Sequence, residues 1–171
     1  MATDVPDGFV CSRCGEFHAE LPMCFGAEFP DYYFSIPINE RARRVEIAES
    51  LCVIDEEHFF VRGRIELPVL NSEEIFCWNV WTTLSKDNFI QTNTVWNDPE
   101  RVNEPAYFGW LQTSLPGYPE TLNLKTAVHT QAVGLIPRVE IMDENHPLVL
   151  EQKQGIGWPR VVELVEAALH S

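Results

Sequence analysis

Between Phe59 and Val69 the chain alternates with a period of two. Phe59, Val61, Ile65, Leu67 and Val69 fall on one side, and Arg62, Arg64 and Glu66 on the other. That pattern makes an antiparallel strand with one buried face, so the chain must supply partner strands and a layer to cover the apolar side. Candidate partners follow the same rule. Leu51 to Ile54 precedes an acidic turn at Asp55-Glu56-Glu57, which reads as the first arm of a hairpin. Ile75 to Leu84 puts Phe76, Trp78 and Val80 on one side and Cys77, Asn79 and Trp81 on the other. Tyr107 to Thr113, Leu122 to Val133 and Arg138 to Met142 complete the expected strands.

Helices are marked by caps and stops. Asn39 to Glu49 reads as a short surface helix, with Glu40 and Arg44 at i, i+4 and the basic triplet Arg41, Arg43, Arg44 on a solvated face. Ser85 caps a helix running to Trp96, before Pro99. Asn145 and Pro147 suit the cap and first turn of a helix that Gly155 ends after Gln154. Pro159 opens a last helix whose stripe is Val161, Val162, Leu164, Val165, Ala168 and Leu169. The expected fold class is α+β: an antiparallel β-sheet with helices packed on one face. Residues 1–171 form a single domain, with residues 9–26 as a zinc-knuckle-like N-terminal segment.

That segment carries the sharpest chemistry. Cys11 and Cys14 form a Cys-x2-Cys pair followed by Gly15, where a tight turn brings two thiolates onto one ion. His18 and Cys24 place four soft or borderline donors within fourteen residues. Sulfur and imidazole together favour zinc, and four protein donors make a closed, structural site. The expected ligands are Cys11, Cys14, His18 and Cys24. His146 or His129 is the alternative fourth ligand, and a redox pair is disfavoured because Pro22 and Pro30 leave no long helix after the motif. Cys52 and Cys77 read as small buried hydrophobes, and His58 and His170 as solvated.

Composition bounds the partners. The 171 residues carry 26 acidic and 12 basic side chains, a net charge of −14. This disfavours polyphosphates and anionic membranes. Hydrophobic residues at 45% argue against disorder. No long apolar run and no signal-like start at Met1 to Gly8 lead to an expected cytoplasmic location, as do five cysteines with one pair in metal spacing.

Several of these segments together resemble one known family. They are Cys11-x2-Cys14-Gly15-x2-His18, Leu51-Cys-Val-Ile-Asp55, Phe59-Phe-Val-Arg-Gly63, Trp78-x2-Trp81, Tyr107-Phe-Gly-Trp-Leu111, and His146-Pro-Leu148 before Gly155-Ile156. The family comprises uncharacterised bacterial proteins bearing domain of unknown function twenty-one ninety-nine. The resemblance implies Cys11, Cys14 and His18 as matching positions, and it implies no activity.

A second candidate site lies on the polar side of the strands. Arg62, Arg64, Asn79, Trp81, Lys125, His129 and Gln131 would share a face suited to a small anion or an acidic peptide, if their strands belong to one sheet. The sequence contains no nucleotide-binding glycine loop, nucleophile elbow or His-Glu-x-x-His motif. The favoured reading is therefore a soluble, zinc-stabilised binding or regulatory protein with a protein partner, which strong negative charge would steer toward a basic one. A metal- or sheet-face-dependent enzyme is the alternative. A single-stranded nucleic-acid reader comes third, its near-knuckle spacing opposed by the charge.

Overall fold

In the computed structural model, which describes residues 8–18 and 21–171, the alternating segment is a strand over His58–Pro68 (β6). It pairs antiparallel along its length with Ile75–Leu84 (β7), from Phe59 opposite Leu84 to Pro68 opposite Ile75. The preceding strands are Phe9–Val10 (β1), Phe17–His18 (β2), Cys24–Gly26 (β3), Val45–Ala48 (β4) and Leu51–Ile54 (β5). Those that follow are Tyr107–Trp110 (β8), Lys125–His129 (β9) and Arg138–Ile141 (β10). Among the described residues, four α-helices span Ile38–Arg44 (α1), Lys86–Thr94 (α2), Pro147–Gln154 (α3) and Trp158–Leu169 (α4). The fold is mixed α+β.

The main sheet has eight strands, in the order β3-β7-β6-β10-β9-β8, with β5 also paired to β6 and β4 to β5. It is mostly antiparallel; β3–β7 and β10–β6 are parallel. The sheet curls until β8 meets β7 again. Leu111 bridges Thr82, the Gln112 amide donates to Trp81 O at 2.7 Å, and the Thr82 hydroxyl donates to Trp110 O at 3.1 Å. Gly109 permits this approach, since a Cβ there would collide with Thr83 O.

The inner apolar face carries Ile65, Leu67, Phe76, Trp78, Val80, Val139 and Ile141, all buried against Leu148 and Val149 of α3 and Val161, Leu164 and Val165 of α4. Phe89 of α2 fills the other end with Val61, Leu84, Tyr107 and Val128. The outer face is covered only in part. Around Phe60 and Trp81 it is closed by Ile36, Cys52 and Ile54.

Several boundaries differ from the sequence reading, each for a local reason. The helix expected to run to Glu49 stops at Arg44, because the β-branched Val45 and Ile47 pair with β5, and Glu49 takes φ 48° in the tight turn. The strand expected over Leu122 to Val133 is confined to Lys125–His129. Asn123 sits at φ 66° just before it. Beyond it, buried Arg101 donates to the carbonyls of Gln131, Ala132 and Leu135, so this loop is satisfied by a side chain rather than by a neighbouring strand. His146 caps α3, its Nδ1 accepting from the Leu148 amide at 3.1 Å, where Asn145 was expected to do so. Leu169, assigned to the buried stripe of α4, is exposed, while Glu166 is buried.

Candidate metal centre

The knuckle is a small hairpin. Phe9 lies opposite His18 and Val10 opposite Phe17, and the Phe9 and His18 rings stack at 5.1 Å. Between the strands the Gly15 amide donates to Cys11 O and the Cys11 amide to Glu16 O, both at 2.9 Å. Gly15 adopts φ 72°, a conformation that the reversal after Cys14 requires and that glycine accepts without strain.

The hairpin brings Cys11, Cys14 and His18 together, and His170 completes the group. Their ligand atoms lie within 4.8 Å of one another. Cys11 Sγ is 3.2 Å from His170 Nε2, and Cys14 Sγ is 3.4 Å from His18 Nε2. Bond lengths to a tetrahedral zinc put neighbouring donors roughly 3.3 to 3.8 Å apart. These donors are therefore spaced to accept a small tetrahedral ion with little movement. Cys11 is buried, His18 half-buried, and Cys14 and His170 exposed, so one edge of the group faces solvent. Burial pushes the Cys11 thiol up, but hydrogen bonds from the backbone of Cys14 and Arg13 and from the Cys14 side chain together hold it below its ordinary range, which favours the thiolate a metal needs.

His170 is the C-cap residue of α4. The helix end is tied to the knuckle by a second contact, in which Glu166 accepts from the Ser12 amide at 2.9 Å and from the Ser12 hydroxyl. These bonds, the hydroxyl's first, hold the Glu166 carboxyl below the usual carboxylate range although burial opposes them.

Cys24 does not join the group. It lies on β3 opposite Cys77, held there by the parallel pairing of Cys24–Gly26 with β7, and His170 takes the place expected of it. The alternatives fall elsewhere as well: His146 caps α3, and His129 Nε2 pairs with Glu140 at 3.1 Å. His170, read as solvated, is the residue that sequence reasoning missed. It stands 159 positions from Cys11, so no local spacing announces it. Cys52 and Cys77 are buried as expected, and burial pushes both thiols up to about 11.

Residues 10–156 match the model of a family described as an uncharacterized protein conserved in bacteria, DUF2199. The chain belongs to this family. The region shared with DUF2199 contains Cys11, Cys14 and His18 and ends before α4 and His170. No curated protein matches the chain, and no solved structure does.

The other candidate residues of this DUF2199 protein are partly brought together. Arg62 faces Trp81, and Arg64 faces Asn79, across β6 and β7. Arg138 lies opposite both Arg64 and His129, which places His129, and Lys125 farther along β9, on the same outer side. Trp81 is fully buried, with its indole N–H donating to Ala27 O at 3.0 Å, so it belongs to the covered part of the face. Gln131 lies beyond β9, where its amide donates to Ile136 O. Arg138 was not among the expected residues. Among the described residues, no helix is long and apolar enough to cross a membrane.

Proposed function

We propose that this protein is a zinc-stabilised binding or regulatory protein of the bacterial cytoplasm. The observation that carries the reading is the convergence of two cysteine sulfurs and two imidazoles, three from residues 11–18 and one from His170. Such a donor set suits zinc, and four protein donors leave no coordination position for substrate or activated water. The ion's task is then to fasten the knuckle to the end of α4, beside the Ser12–Glu166 contact. The net charge of −14 over the whole chain suits a basic protein partner and disfavours nucleic acid.

The reading is tested by elemental analysis of reduced protein purified without chelator. Close to one zinc per chain is expected, and metal-free protein would overturn it. Capture from lysate at low and high salt tests the partner: proteins retained at low salt and released at high salt are expected, whereas salt-independent or absent capture speaks against charge-steered binding.

A further inference from the structure

Arg62, Arg64 and Arg138 form a group on the outer face of the sheet, with Asn79 beside them on β7. In a chain with 26 acidic residues, none of the three has a carboxylate within ion-pair distance among the described residues. Five of the other arginines differ. Arg43 pairs with Glu40, Arg44 with Asp55 and Arg160 with Glu151, Arg41 bonds Ile36 O, and Arg101 is surrounded by carbonyls. Moreover, Arg62 Nε, Arg64 Nε and Asn79 Oδ1 are buried atoms without a hydrogen-bond partner. Folded proteins leave few such atoms unsatisfied, and three on neighbouring residues of one face mark it as a place where a ligand could be held. Gly26 of β3 flanks the group, and a Cβ there would come within 3.2 Å of Arg62 Nη2, so the glycine leaves the guanidinium room.

We propose that this group binds a small phosphate-type oxyanion, free or as a phosphomonoester. Guanidinium forks present Nε–H and Nη–H donors that match two oxygens of one anion. Asn79 Oδ1 asks for a donor, which a hydrogen phosphate supplies and a sulfate lacks. The acids on this face stand at its margins: Glu66 lies opposite Cys77, and Glu140 is held by His129. The inference gives the binding-protein reading a ligand class and rests on that reading only for its biological sense, since it uses none of the metal donors.

Calorimetric titration of the intact protein with inorganic phosphate, at fixed ionic strength, tests it. Saturable binding at one site per chain is expected, with sulfate weaker. Arg64→Gln and Arg138→Gln should each weaken phosphate by about tenfold or more, a change of about 1.4 kcal/mol. Arg43→Gln, on α1, should leave it unchanged. Should either Gln variant fail to fold, Arg64→Lys keeps the charge, loses the fork, and is expected to weaken binding as well. Either order of affinity between inorganic phosphate and glycerol phosphate supports the site and tells free anion from ester. Wild-type protein that takes up no phosphate saturably, phosphate binding undiminished in folded Arg64→Gln and Arg138→Gln, or sulfate bound as tightly as phosphate would overturn the proposal. Zinc measured in the same samples separates the two readings: zinc-loaded, phosphate-silent protein removes only this one, and metal-free, phosphate-binding protein removes only the metal reading.

Discussion

The two residues on which the sequence and the fold disagree most, Cys24 and His170, make the strongest single-residue test. Losing an outer-shell partner of a metal ligand already costs about 10- to 100-fold in affinity, so losing a ligand should cost about 100-fold or more. His170→Ala and Cys14→Ser are expected to weaken zinc binding to that extent, while Cys24→Ser leaves it unchanged; competition with a chromogenic chelator measures all three. Cys11, Cys14 and His18 were legible because their spacing is local and the turn at Gly15 dictates how they converge. The fourth donor was not, because the candidate closest in sequence is carried away by β3 to face Cys77 while a distant helix end arrives in its place. The polar face divides in the same way. Arg62, Arg64 and Asn79 followed from the period of two, whereas the burial of Trp81 depends on residues 27–54 folding over it, and the arrival of Arg138 depends on a parallel pairing that no alternation encodes.

At the scale of elements, one close contact marks the closure of β8 on β7 and another the join of α4 to the knuckle. Gly109→Ala would press a methyl group against Thr83 O, where β8 closes on β7. Overpacking of this kind costs about 1 to 3 kcal/mol, so a lower urea midpoint with an unchanged slope is expected. The contact between α4 and the knuckle is electrostatic and therefore pH-dependent. Glu166 is held below its unfolded value, so its contribution is full above the ordinary carboxylate value of about 4.3 and fades as pH falls through the lower native value. Ser12→Ala should loosen the knuckle by about 1 to 2 kcal/mol at neutral pH. The difference from wild type should shrink in acid, as read from hydrogen exchange of residues 9–14 in chelator-treated samples. A difference that stayed constant or grew in acid would mean that Ser12 acts other than through the carboxylate. The existence of most elements was legible, since β6, β7 and α4 carry strong periods and α2 carries a serine cap. Their limits were set by tertiary competition, as where Arg101 takes the carbonyls that would otherwise have extended β9.

For the molecule as a whole, the question is whether a metal bound by the Cys/His group would hold the fold or only its N-terminal corner. Structural zinc contributes about 10 to 16 kcal/mol in isolated fingers, where there is no other core to fold around. Here β6, β7 and β10 bury Ile65, Leu67, Phe76, Trp78, Val80, Val139 and Ile141 against α3 and α4 without using any metal donor. Cys11 and Phe9 belong to the same core cluster but to neither the main sheet nor the helices, so removing the ion should free the knuckle without opening the sheet. If the whole knuckle-like segment depended on the ion, release would extend over residues 9–26. The pairing of β3 with β7, and the Cys77 amide donating to Met23 O at 2.8 Å, narrow that range, because residues 23–26 are held by the sheet. Chelation should therefore raise hydrogen exchange at residues 8–18 and in the last turn of α4, around Glu166 to His170, while β3, β6 and β7 keep their protection. Loss of protection throughout the sheet would mean that the ion is needed for the whole fold. Unchanged exchange at both chain ends in protein shown to have lost its zinc would mean that the Ser12–Glu166 contact and the Phe9 packing hold the corner unaided.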